Sequence, residues 1–364
     1  MIVLFYVIFF FLILRFTVTL FNFISNPKLP ASVKLYHHKV SVLIPARNEA
    51  DNILSLLESL KKQDYQNIEV IVLDDHSEDE TYAICKEFCE TDRRFSTIKG
   101  KRLEEKWLGK NYACHQLAKA ATGHYLIFID ADEIVQDGLI NNAINRMEVN
   151  KLHLLSLFTN QIMLSTGEKL VVPMMHFILL NLLPLRLVRL FKNPALAAAS
   201  GQFMMFDAAN YREKQWHKQV KNQVVEDVEI MKLVKQQRLR GEALLANGYI
   251  FCRMYKGYRE ALQGFSKNIL SGFGNSIIGL MVYLFLVIGG PILVLLFLNQ
   301  ELFVFCCSLI ILSRLMISLL AGQNPLLNII IHPLQVLSLG LISLYSIYNT
   351  ITKKVYWKGR KIEV

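Results

Sequence analysis

None of the six cysteines, Cys85, Cys89, Cys114, Cys252, Cys306 and Cys307, forms a Cys-x-x-Cys pair. The spacing on which zinc ribbons and dithiol redox centres depend is therefore missing. Cys85 and Cys89 stand one helical turn apart, a spacing that core packing explains, and nothing in the six points to an oxidising compartment. There is no glycine-rich phosphate loop, since Gly109-Lys110 lacks the P-loop spacing. No internal repeat or low-complexity tract is visible. Residues 28–47 contain no acidic side chain, whereas Lys28, Lys34 and Lys39 are all basic.

What is abundant is apolar. The 364 residues are 53% hydrophobic with a net charge of +10, and the apolar excess lies at the two ends. That length holds one domain of ordinary size plus several membrane segments. Residues 2–23 form a run whose only charge is Arg15. It lacks a basic start and a small-residue cleavage site, so it reads as a retained span over residues 1–24 rather than a signal peptide. The positive-inside bias then places the basic stretch 28–47 in the cytoplasm. Three further runs lie at 277–298, 302–320 and 326–347. Three full crossings would put the basic tail 349–364, with Lys353, Lys354, Lys358, Arg360 and Lys361, outside. One of the three is therefore expected to be re-entrant or interfacial, and Pro325, Pro333 and Arg314 weaken the second and third. The charge is assigned to an anionic leaflet, and no nucleic-acid partner is expected. A run at 170–190, interrupted by Pro173 and Pro184, is short for a span. It is expected to lie in the interface, with Arg186, Arg189 and Lys192 near headgroups.

Between residues 39 and 160 strands and helices alternate. Lys39–Ile44, Ile68–Leu73, Phe95–Lys99 and Tyr125–Ile129 read as strands. Ile53, Leu56, Leu57 and Leu60 mark one helix face, Thr81, Ile84, Cys85 and Phe88 a second, and Lys110–Ala121 a third. This is an α/β pattern with a mainly parallel sheet, whose ligands bind beyond the C-terminal strand ends. Three of those ends are polar or acidic: Pro45-Ala46-Arg47-Asn48-Glu49, Asp74-Asp75-His76-Ser77-Glu78-Asp79, and Asp130-Ala131-Asp132. Turns and helix caps would explain any one of them, but not their coincidence on one sheet edge. Two carboxylates in Asp-x-Asp repel unless a cation stands between them, and hard oxygen ligands suit Mg²⁺ or Mn²⁺.

The succession Ile-Pro-Ala-Arg-Asn-Glu, Leu-Asp-Asp-His-Ser-Glu-Asp-Glu-Thr and Phe-Ile-Asp-Ala-Asp-Glu resembles the family 2 glycosyltransferases of GT-A (Rossmann-like) fold over roughly residues 39–270. The resemblance implies a nucleotide site at Pro45, Ala46, Arg47, Glu49, Asp74, Asp75, Lys110 and Asp130, with the metal at Asp132. It also implies a nucleotide diphosphate sugar as donor, most commonly a uridine one. Trp107-Leu108-Gly109-Lys110-Asn111-Tyr112-Ala113-Cys114-His115-Gln116 resembles the signature of membrane glycosyltransferases associated with carotenoid and hopanoid pathways, the diaponeurosporenoate type among them. Phe251-Cys252-Arg253-Met254-Tyr255 and Trp357-Lys358-Gly359-Arg360 are similar to that group too. The expected acceptor is accordingly a lipid.

Glu226-Asp227 precedes a helix with an apolar face at Ile230, Leu233 and Val234, and resembles the family's Glu-Asp motif. Asp227 is then the base that deprotonates an acceptor hydroxyl, with inversion at the anomeric carbon. Glu226, Arg253, Tyr255 and Lys267 fall where the family receives the acceptor or closes its site; snorkelling explains Arg253 and Lys267 equally well. A carboxylate acceptor needs no base, so Asp227 favours a hydroxyl, in tension with the carotenoid-acid enzymes. A processive polysaccharide synthase would carry Gln-x-x-Arg-Trp, which is missing. A non-catalytic scaffold with a decayed domain would be expected to lose its buried carboxylates first, and they are present. A nucleotidyltransferase would place a basic glycine-rich loop after the first strand.

Overall fold

The computed structural model describes residues 1–352, 356–357 and 360–361. Lys358 and Gly359 of the Trp357–Arg360 motif, and most of the basic tail, lie outside the described residues. The chain divides into two compact units. One comprises residues 27–160 and 185–253, the other residues 1–26, 161–184 and 254 onward. Residues 161–184 and 254–270, grouped with the transferase region by sequence, thus cluster with the apolar helices.

The first unit is built on a seven-stranded sheet. Its strands are β1 (Val40–Ala46), β2 (Ile68–Asp74), β3 (Phe95–Lys99), β4 (Tyr125–Ile129), β6 (Leu154–Phe158), β7 (Phe203–Asp207) and β8 (Gly241–Leu245). Two short strands, β5 (Glu133–Val135) and β9 (Ile250–Cys252), pair antiparallel beside it. The main order is β3-β2-β1-β4-β7-β6-β8. The pairs β1–β2, β2–β3, β1–β4 and β6–β8 are parallel, and β7 runs antiparallel between β4 and β6. β1, β2 and β4 read as continuous apolar runs because helices cover both faces of a parallel sheet. Val40, Val42, Ile44, Val70, Val72, Ile127 and Ile129 are buried together with Leu56, Leu57, Leu60 and Ile144 of the helices. The sheet direction then brings the ends of β1, β2 and β4 to one edge.

Away from that edge, Glu242 on β8 is wholly buried and takes Arg146 at 2.6 Å and Arg189 at 2.9 Å. Arg189 also donates to Asn150 at 2.8 Å. The buried Lys235 ammonium donates to the carbonyls of Val188 and Phe191. The helix Arg186–Leu190 is thereby fastened to this unit, and Arg189 spends its guanidinium on protein groups.

Among the described residues, the second unit holds four helices long and apolar enough to cross a membrane: Ile2–Ser25, Ile277–Phe297, Gln300–Leu320 and His332–Ile351. The charge in the first, Arg15, donates to Asn181 at 3.2 Å and lies 5.1–5.8 Å from the ring centres of Phe11, Phe177 and Tyr283. Arg314 likewise donates to Gln335 at 2.7 Å. Each arginine in an apolar run thus has a polar partner inside the helix group, as intramembrane cations require. The run 326–347 is not one helix. A short helix, Pro325–Ile330, ends before a new one starts at His332, because Pro333 lacks the N–H that would continue the ladder. The run 170–190 is also broken, into Pro173–Leu182 in this unit and Arg186–Leu190 in the other. Ten residues of helix rise only about 15 Å, half a bilayer core, so Pro173–Leu182 is too short to span. Instead Asn22 of the first helix donates to the carbonyls of Leu180 and Leu183, at 2.8 Å each.

Candidate active site

The loops after β1 and β2 are laced together. Asp75 N–H donates to the Ala46 carbonyl at 2.8 Å, and Arg47 Nη1 returns to the carbonyls of Asp75 and His76 at 2.7 and 3.0 Å. Asp79 accepts from Thr81 N–H and from Ala50 N–H. Burial pulls its carboxyl up, but the Thr81 hydroxyl and these N–H groups outweigh that and hold it low. The acidic run after β2 therefore divides. Asp79 is a structural cap, whereas Asp74 and Asp75 are buried at the strand end, with Asp74 receiving only long contacts of 3.4 Å from Ser77 N–H.

The second group assembles around a lysine. Lys110, in the first turn of the helix Gly109–Ala120, stands 2.7 Å from Asp130 Oδ1 and 3.4 Å from Glu226 Oε1. Asp227, beside Glu226, accepts from Gly201 N–H and from Val228 N–H, both at 2.8 Å. Gly201 stands against all three groups: a Cβ there would lie 3.1 Å from Lys110 Nζ, 3.2 Å from Glu226 Oε1 and 3.6 Å from Asp227 Oδ2. Three residues separated by up to 117 positions thus converge on one glycine. Burial raises the carboxyls of both Glu226 and Asp227, and Glu226 adds to its own rise through the neighbouring Asp227 charge; Lys110 works against the shift in both.

The tryptophan motif explains how Lys110 and the Glu-Asp pair are kept in register. Asn111, wholly interior, donates to the carbonyls of Val220 at 2.9 Å and Gln223 at 3.0 Å. Leu108 N–H donates to the Lys221 carbonyl at 2.8 Å. The start of the helix that carries Lys110 therefore clamps the loop that leads into Glu226. Trp107 covers this joint, its ring centre 5.0 Å from His115 and 5.2 Å from Tyr112.

A third group follows β4. Burial first, then repulsion from Asp130 and Glu49, pushes the Asp132 carboxyl up to about 6. Glu133 is wholly buried, and Cys252 stands opposite it in the β5–β9 pair. Asp132 Oδ2 lies 3.5 Å from Cys252 Sγ, and one ligand atom from each of Asp132, Glu133 and Cys252 falls within 4.8 Å of the others. Arg253 follows in the same unit. Tyr255 and Lys267 belong to the other unit, where Tyr255 packs over Gly264 and 5.3 Å from the ring centre of Phe265. Gly201, Gln202, Glu133 and the thiol of Cys252 were not singled out by sequence. Glu133 and Cys252 did have a signal, in the Phe128–Glu133 run and the Phe251–Tyr255 motif.

Residues 41–213 match the family model for glycosyl transferase family 2. The chain carries a family 2 glycosyltransferase domain. Its sheet is the mainly parallel α/β arrangement of the GT-A fold, as the strand ends implied. The chain is 26% identical to the 4,4'-diaponeurosporenoate glycosyltransferase of Staphylococcus haemolyticus, over 65% of this chain and 62% of that protein. It is 35% identical to the Escherichia coli UDP-Glc:alpha-D-GlcNAc-diphosphoundecaprenol beta-1,3-glucosyltransferase WfaP, over 31% of this chain and 43% of that one. These matches span less than two thirds of either relative. Among solved structures, the mannosyltransferase PcManGT of Pyrobaculum calidifontis, in complex with GDP-Man and Mn²⁺, superposes with a TM-score of 0.56 at 15% identity. It covers 95% of this chain and 99% of its own, and that likeness is one of fold.

Proposed function

We propose that this chain is an inverting glycosyltransferase that moves a sugar from a nucleotide diphosphate, most simply uridine diphosphate, to a lipid-type acceptor at the cytoplasmic face of a membrane. The observation that carries the reading is the convergence of Asp227, Glu226 and Lys110 on Gly201, with Asp130 at the end of β4 paired to that lysine. Gly201 N–H and Val228 N–H orient the Asp227 carboxylate, and burial raises its basicity above that of a surface aspartate. Asp227 takes the acceptor proton. Asp74, Asp75, Arg47 and Asp130 receive the nucleotide, and Lys110 offers the diphosphate a point charge while its pairs with Asp130 and Glu226 hold it in place.

A divalent ion fits the residues present. Asp132 is half-buried, repelled by two other carboxylates, and pairs with no cation among the described residues. When bound, Mg²⁺ or Mn²⁺ at Asp132 would neutralise the departing diphosphate. The carotenoid and diphosphoundecaprenol acceptors in the relatives' names support a lipid acceptor here, as do the four apolar helices. The oriented Asp227 favours an acceptor hydroxyl over a carboxylate, because only the hydroxyl needs a base.

The test is sugar transfer in isolated membranes from radiolabelled UDP-glucose with Mn²⁺ or Mg²⁺, followed by lipid extraction. Label in the lipid phase that Asp227→Asn and Asp132→Ala both lose supports the reading. Label that survives Asp227→Asn but not Asp132→Ala identifies an acceptor that is already anionic. Absence of label with several nucleotide sugars, native lipid extract included, overturns the transferase assignment.

A further inference from the structure

We infer that the metal site at Asp132 is a mixed oxygen and sulfur site, in which Cys252 is a thiolate ligand and Glu133 a second carboxylate. The inference rests on the metal role proposed above and adds to it the identity of the donors.

Three observations carry it. Glu133 and Cys252 are direct cross-strand partners, so their side chains stand side by side on one face of the β5–β9 pair. Asp132, the residue before β5, brings Oδ2 to 3.5 Å from the sulfur. The three ligand atoms lie within 4.8 Å of one another, a separation that bonds of about 2.0–2.5 Å to a single ion span. Glu133 supplies the independent sign of a missing partner. It is 0% exposed, its Oε1 accepts from Gln202 Nε2 at 2.9 Å, and its Oε2 is buried without a hydrogen bond. An orphaned carboxylate oxygen is among the costliest groups to leave in a protein interior, and metal ligation is one of the few ways to satisfy it.

The support behind Glu133 is that of a built site. Gln202 is itself held by Thr159 Oγ1 at 3.0 Å and Ser200 Oγ at 3.3 Å, both donating to its Oε1. This fixes the amide so that its NH₂ faces Glu133, the outer-shell arrangement that orients metal-binding carboxylates. Ion binding displaces the Cys252 S–H proton to solvent, leaving a thiolate on the metal. A sulfur donor makes the site softer than an all-oxygen one, and the preference moves from Mg²⁺ towards Mn²⁺, Co²⁺ and Zn²⁺.

The full-length protein, purified in detergent and freed of metal, is titrated with Co²⁺ alone and with Co²⁺ plus uridine diphosphate. Absorbance and equilibrium dialysis are read together. The expected result is one bound Co²⁺ with a near-ultraviolet thiolate-to-metal charge-transfer band. Cys252→Ser should abolish the band and weaken binding by about tenfold or more, on the scale of disturbing a metal ligand's environment. Cys85→Ser should keep the band, and Asp132→Ala should lose the ion. Stoichiometric binding without the band, a band that persists in Cys252→Ser, or no binding under either condition overturns the inference. The readout needs no sugar transfer. Failure of the transferase assignment would therefore leave the band intact, while a missing band with metal-dependent transfer would remove the thiolate alone.

Discussion

Gly201→Ala isolates the crowding at the candidate active site from every other change. The backbone at Gly201 lies outside the left-handed region, so alanine brings no conformational strain. The N–H that donates to Asp227 is kept. What is added is one methyl group, 3.1 Å from Lys110 Nζ and 3.2 Å from Glu226 Oε1, and 3.6 Å from Asp227 Oδ2. Carbon contacts settle at about 3.5–4.0 Å, so the lysine and glutamate ends must move by a few tenths of an ångström. Both are far ends of flexible side chains, and folding should be nearly untouched, with stability changed by less than about 1 kcal/mol. The rate should respond more. A misplacement of 1 Å costs about a hundredfold, so a shift of a few tenths in the groups beside Asp227 should lower kcat by up to about tenfold, or about 1.4 kcal/mol in the barrier. The assay is label transfer to extracted lipid, with thermal unfolding in detergent as the control for folding. A kcat within twofold of native, at an unchanged donor KM, would show that nothing passes Gly201 during turnover and would refute the placement of the site.

Three other outcomes follow from the same geometry. Asp227→Asn should lower kcat by about 10²–10⁴ with the donor KM retained, the scale of losing a positioned base; retained turnover would remove Asp227 from that role. The base must be ionised and burial raises its carboxyl, so kcat/KM should rise with pH through an acid limb that lies above the ~3.9 of an ordinary aspartate, and a midpoint at or below that value would contradict the burial. Glu242→Gln leaves Arg146 and Arg189 without their shared buried carboxylate; breaking such a network costs about 3–5 kcal/mol and should show as a lowered unfolding temperature in detergent, where an unchanged one would mean the triad is dispensable.

The strands were legible because a doubly covered parallel sheet demands uninterrupted apolar runs, and Ile68, Phe95 and Tyr125 open strands where the pattern places them. The acidic ends were legible because buried carboxylates have few other reasons to recur on one edge. Gly201 was not, since a glycine is informative only through what surrounds it, and Lys110, Glu226 and Asp227 reach it from elements distant in sequence. The break before His332 and the division of residues 170–190 between two units show a related limit: hydropathy reports where apolar chain is, while proline and packing decide where a helix stops.

The tryptophan motif is the instructive middle case. Its residue types marked a subgroup, yet they do not disclose that Asn111 and Leu108 seize the backbone at Val220, Lys221 and Gln223. That contact joins the residue that faces Asp130 to the pair proposed to carry the base, through main-chain carbonyls that any sequence would offer. Side-chain identity is therefore required at Asn111 and free at the loop it holds. The geometry of Glu226 and Asp227 depends on a residue more than a hundred positions earlier, at a place where only one partner's type leaves a trace in the sequence.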